Sequence, residues 1–168
     1  IVIVKLALGE LYNIKKEPSQ AIKIYEEVAN LSKNEWYSLE ARSKIAEISR
    51  SQGNFPEAIR LYTELLKAIP SKDPWRIHWV RLTIGDINRD SGNMEEAMKL
   101  YNIEINNQEL RIDAVMETKL RIIDLLQRLN KNEEALKACE ESLPKVAQLN
   151  QKGQMLLLKA NILQRLGK

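Results

Sequence analysis

One cysteine, Cys139, and one histidine, His78, are all that 168 residues offer of the two side chains most used by redox and metal sites. A lone cysteine excludes a disulfide-held scaffold and has no partner in this chain with which to report a redox compartment. Nor is His78 accompanied by Cys, His or carboxylates at metal-ligand spacing, and as a general base it has no adjacent nucleophile and orienting acid. Phosphate-binding glycine loops, paired-carboxylate signatures and dinucleotide fingerprints are missing too. The expectation is a chain that is not an enzyme and carries no cofactor or metal. No apolar run approaches the roughly 18 residues needed to span a bilayer, so membrane insertion is not expected. Charge of one sign is also lacking: Lys and Arg outnumber Asp and Glu by only 26 to 23. A net +3 spread among mixed charges does not argue for nucleic acid.

What is present is ordinary for a folded domain, 44% hydrophobic and 29% charged residues. The chain opens on Ile1-Val2-Ile3-Val4 without the basic region and small-residue cleavage site of a secretory signal. We read it as a fragment of a longer protein, with a cytoplasmic location favoured over a periplasmic one.

The informative feature is repetition. Four alanines, Ala21, Ala58, Ala97 and Ala135, lie 37, 39 and 38 residues apart. Four residues after each come Tyr25, Tyr62, Tyr101 and Cys139; five before each come Lys16, Gly53, Gly92 and Asn130. Twelve before stand Gly9, Ala46, Gly85 and Ile123. Ala160 and Gly167 keep the register of a fifth, incomplete unit. The units fall at about 1–34, 35–73, 74–112 and 113–151, with a partial one over 152–168.

Each unit reads as two helices. Leu39, Ala41, Ile45, Ala46 and Ile48 follow helical spacing, then Gly53-Asn54 supplies a left-handed stop and an N-cap. Pro56 suits a first turn, and Ala58, Ile59, Leu61, Tyr62, Leu65 and Leu66 continue to about Pro70. Pro144 should kink or shorten the second helix of the fourth unit. No segment alternates with period two, so no strands are expected.

On these residues the chain resembles the tetratricopeptide repeat family over essentially its whole length. The first unit reads Lys5-x-x-Leu8-Gly9-x-x-Tyr12 and then Ala21-x-x-x-Tyr25; the third reads Arg81-x-x-Ile84-Gly85-x-x-Asn88 and then Ala97-x-x-x-Tyr101. The resemblance implies an all-α fold, a right-handed superhelical solenoid of antiparallel helix pairs in one array of about nine helices. Small residues would let helices approach while the tyrosines fill the gaps. The period exceeds the family's usual 34, and Lys5, Arg42, Arg81 and Lys119 replace its aromatic. Their alkyl stems are expected to cover apolar surface.

A residue that recurs with the period is most simply structural; one that appears once is the better functional candidate. Trp36 and Trp75 recur, each 22 residues before its alanine, and are expected to pack where units join. Trp79 does not recur, its equivalents being Ile3, Glu40 and Glu117. The resemblance places it on the inner groove, with Leu82 as a second apolar anchor. Glu10, Glu47, Asp86 and Asp124 form a ladder eleven residues before the alanines, with Arg89 beside Asp86. It reads either as a selector of basic groups or as local ion pairing with Arg50, Arg89 and Arg128, the latter the stronger reading. The family's carboxylate clamp is absent, since its row holds Leu6, Ser43, Leu82 and Leu120. Cys139 occupies a tyrosine position and is expected to be buried and inert.

Two functions follow. The first is a non-catalytic scaffold whose concave groove binds a protein or peptide segment of basic character. The second is a structural, oligomerising or regulatory module of a larger protein that self-associates through apolar ends at Ile1 to Val4 and Met155 to Leu158.

Overall fold

The computed structural model describes residues 1–32 and 35–168. Among the described residues there are nine α-helices and no strand: α1 (Val2–Ile14), α2 (Pro18–Leu31), α3 (Glu35–Ser51), α4 (Phe55–Ala68), α5 (Pro74–Asp90), α6 (Met94–Ile105), α7 (Ile112–Arg128), α8 (Asn132–Ser142) and α9 (Leu149–Arg165). The expected all-α arrangement of four helix pairs and the first helix of a fifth is the one found. Two compact units divide the chain, Ile1–Ile87 and Asn88–Lys168.

The turns inside the pairs carry the clearest trace of the repeat. Lys16, Gly53, Gly92 and Asn130 all take positive φ, between 58° and 91°, and Gly167 does so in the fifth unit. Glycine and asparagine accept that left-handed backbone readily. Lys16 adopts it at φ 61° without such help, so the surrounding helices fix the turn and not the residue type alone. Asn54 caps α4 through its side chain, which accepts from the Glu57 backbone N–H at 3.4 Å. Asn93 makes no such cap; its amide donates to Asn88 and Ser91 instead. Pro144 ends α8 as expected, its residues Leu143–Lys145 forming a single 3₁₀ turn.

In the first unit α2 packs on both α1 and α3, and α3 on α4. Ala21, Tyr25, Val28, Ala41 and Ile48 form its described core cluster. The closest approach is at Gly9, where an added Cβ would lie 2.5 Å from Tyr25 Cε1. Glycine is therefore required there by the tyrosine ring, while the equivalent Ala46 is itself fully buried. In the second unit α6 packs on α7, α7 on α8, and both α7 and α8 on α9. There Ile123 and Cys139 share a core with Met116, Met155 and Ile162. A larger residue at the small position is met by a smaller one at the tyrosine position, which conserves core volume.

Two glycines give opposite expectations. Gly9→Ala should destabilise the protein by about 1–3 kcal/mol through overpacking. Gly153→Ala, at an exposed position of α9 with open space around it, should stabilise it by about 0.5–1 kcal/mol. Urea unfolding of both variants checks the pair.

Candidate functional site

Tyrosine and acid form a built-in pair fifteen residues apart. The Tyr25 hydroxyl donates to the Glu10 carboxylate at 3.1 Å, and the Tyr62 hydroxyl donates to Glu47 at 2.9 Å. Both rings are fully buried. Burial, reinforced by the neighbouring carboxylate charge, pushes both phenols well above their ordinary pKa, so each stays a neutral donor. The ladder acids are further occupied by cations. Glu10 pairs with Lys44 at 3.3 Å, joining α1 to α3, and Glu47 lies 3.8 Å from Arg50. Asp124 accepts from Arg128 at 2.8 Å and sits 3.8 Å from Arg89, which also holds Asp90. Local pairing therefore accounts for Glu10, Glu47 and Asp124. The tyrosine half of that account escaped the sequence reading, although the two rows recur at one fixed offset and could have revealed it.

An open cleft of about 380 Å³ lies within the first unit, between α3, α4 and α5. Trp75 and Trp79 line it from α5, and Glu40, Lys44 and Glu47 from α3. Tyr62 forms part of its floor, its ring edge-on to Trp79 with centroids 6.0 Å apart. Trp79 remains 45% exposed and Trp75 55%. The chain enters α5 through Asp73, whose carboxylate accepts from the Arg76 backbone N–H at 3.1 Å and lies 3.4 Å from the Arg76 guanidinium. This fixes the first turn on which Trp75 sits.

Several expected placements change. Leu82 is only 3% exposed, so it is a core side chain and no groove anchor. Trp36 and Trp75 are not packed away at joins: each is half exposed, Trp36 lying edge-on to Tyr37 at 5.0 Å and Trp75 bordering the cleft. Recurrence was a poor guide here, because position in a repeat fixes the face of a helix but not what covers it. Asp86 is half-buried on α5 and is not among the residues lining this cleft. Lys5 does not merely cover apolar surface; it forms an ion pair with Glu27.

The remaining reactive candidates are both buried. His78 is buried against Trp75, ring centroids 5.9 Å apart. Cys139 is buried with its thiol directed at the Met155 carbonyl, 3.2 Å away, and burial raises its pKa, which keeps it a thiol. Among the described residues no group of three His, Cys, Asp or Glu could hold a metal ion. No helix among them is long and apolar enough to cross a membrane.

Short-turned helix pairs, packed consecutively within each unit and holding a buried tyrosine between them in the first, define a helical-hairpin repeat fold. Residues 41–74 match the family model described as tetratricopeptide repeat. Those residues carry a tetratricopeptide repeat, and the rest of the chain shares its helix-pair fold. Similar solved structures include nearly identical TPR-like repeats from Podosopora anserina described as kinesin light chain, at TM-score 0.73 and 16% identity, covering 99% of this chain and 87% of that one. Another is BtubC (BKLC) from P. vanneervenii, at TM-score 0.70 and 15% identity, covering 95% and 70%. At such identities the likeness carries the fold alone. No curated protein is significantly similar in sequence.

The tyrosine pairs predict an alkaline signature. A phenol whose pKa is raised on folding contributes stability that is complete below its unfolded value of about 10 and is lost as pH rises beyond it. Tyrosinate absorbance from Tyr25 and Tyr62 should thus appear only together with loss of helical circular dichroism above about pH 10. Tyr62→Phe should retain more of its neutral-pH stability there than wild type does.

Proposed function

We propose that this tetratricopeptide-repeat chain is a non-catalytic protein-interaction scaffold that holds a peptide or protein segment against the cleft of its first unit. The observation that carries this reading is the pair of half-exposed indoles, Trp75 and Trp79, held on a cleft of about 380 Å³. Tryptophan at the centre of an interface contributes strongly because its large apolar area is desolvated at little rotamer cost. The ladder of Glu10, Glu47, Asp86 and Asp124 is not needed for this role, since its rungs are engaged within the chain.

Trp79→Ala should weaken partner binding by about thirtyfold while leaving the melting temperature nearly unchanged, as befits a half-exposed side chain. Leu82→Ala is the contrasting variant: it should cost about 2–5 kcal/mol of stability. Retained binding by Trp79→Ala, or a collapsed melt, would refute the cleft as the binding site.

A second reading, assembly through an end, is favoured by the outer face of α1. Val4 and Leu11 are 69% and 47% exposed. At the same repeat positions Ala41, Val80 and Thr118, and Ile48, Ile87 and Leu125, are all buried. In α3 that face is covered by α2; α1 presents it open. The stretch Met155 to Leu158 is less apolar at its surface than the sequence suggested, because Met155 is fully buried and Leu158 half-buried, leaving Leu156 and Leu157 exposed. If assembly uses α1, Val4→Glu with Leu11→Glu abolishes self-association in sedimentation experiments, whereas Leu156→Glu with Leu157→Glu does not.

A further inference from the structure

Resting on the cleft as the binding site, we infer that it is built to receive one arginine side chain of the bound segment, with Glu40 as its counter-charge. Glu40 and Trp79 occupy the same repeat position, eighteen residues before Ala58 and Ala97, and they line one cleft from neighbouring helices. The cleft's cations are already engaged with carboxylates. Lys44 is held by Glu10 at 3.3 Å and Arg76 by Asp73 at 3.4 Å. Glu47 is likewise taken, by the Tyr62 hydroxyl at 2.9 Å and by Arg50 at 3.8 Å. Glu40 alone of these acids forms no ion pair among the described residues, and it is half-buried at the cleft. Of the charged residues that line the cleft, Lys44, Glu47 and Arg76 each have an ion-pair partner, and Glu40 is the one left without a cation among the described residues.

The aromatic part of the cleft selects which cation completes the balance. Trp75 and Trp79 are four residues apart on α5, so both indoles leave the same helix face. An indole face attracts a cation through its quadrupole. A guanidinium is planar and weakly hydrated, so it stacks on such a face and still presents a fork of donors to a carboxylate. An ammonium holds its water more tightly and cannot stack. The Tyr62 hydroxyl, committed to Glu47, adds no competing donor at Glu40.

A random twelve-residue peptide library displayed on phage, selected on the wild-type protein and counter-selected on Trp79→Ala, tests the inference. The expected outcome is a set of Trp79-dependent peptides sharing an arginine. Replacing that arginine by citrulline, which keeps the shape and removes the charge, should weaken binding about tenfold. Glu40→Gln should weaken the parent peptide by a similar factor and leave the citrulline peptide unchanged, since the two changes remove the same contact. Trp79-dependent peptides without arginine, or equal loss for both peptides in Glu40→Gln, would overturn the arginine assignment and leave the cleft as a binding site. A library with no Trp79-dependent binder would overturn both.

Discussion

Each helix pair in the first unit depends on a buried tyrosine tied by its hydroxyl to an acid on the preceding helix, and in the first pair the ring is seated against a glycine. Tyr25 lies so close to Gly9 that no Cβ fits between them, and its hydroxyl reaches Glu10, the next residue along α1. Tyr62 repeats the bond with Glu47, next to the buried Ala46. The ring sets how near the second helix may come to the first. The hydroxyl sets which way round the ring is held, because a buried phenol needs an acceptor. Small residue, acid and tyrosine thus work as one device, and the repeat period is the spacing at which the device recurs.

That device also decides which side chains the cleft leaves uncommitted for the proposed binding. The acids it uses are spent within the chain, and Lys44 is spent on one of them. What the device leaves uncommitted at the cleft are the two half-exposed indoles of α5, and Glu40 at the position where the next repeat carries Trp79. On the proposed reading, binding uses exposed cleft side chains, Trp79 where the repeat is broken and Trp75 where it is kept, and stability uses the buried ones. The separation is physical, since a side chain serving as both wedge and contact would have to be buried and exposed at once.

Much of this was legible in the sequence, and the parts that were not share a cause. Gly53, Gly92 and Asn130 announced their turns because left-handed backbone restricts residue type; Lys16 did not, because tertiary packing imposed the same turn on an unsuited residue. Asn54 was readable as a cap, but the similar Asn93 spends its amide on Asn88 and Ser91. Pro144 stopped α8 for a local steric reason that any sequence displays. Leu82 was misplaced as a groove anchor because its exposure depends on neighbours that periodicity cannot supply. Recurrence with Trp36 predicts a packed Trp75, yet both are half exposed. Local rules were legible; the covering of a face by another helix was not.

The most direct measurement is a double-mutant cycle on Tyr62 and Glu47, using Tyr62→Phe, Glu47→Ala and the double variant in urea unfolding. If the hydroxyl–carboxylate bond holds the wedge in place, the two changes couple by about 1 kcal/mol or more. If the wedge acts through ring volume alone, the effects add to within about 0.3–0.5 kcal/mol, and the tyrosine–acid pair is not what the repeat depends on.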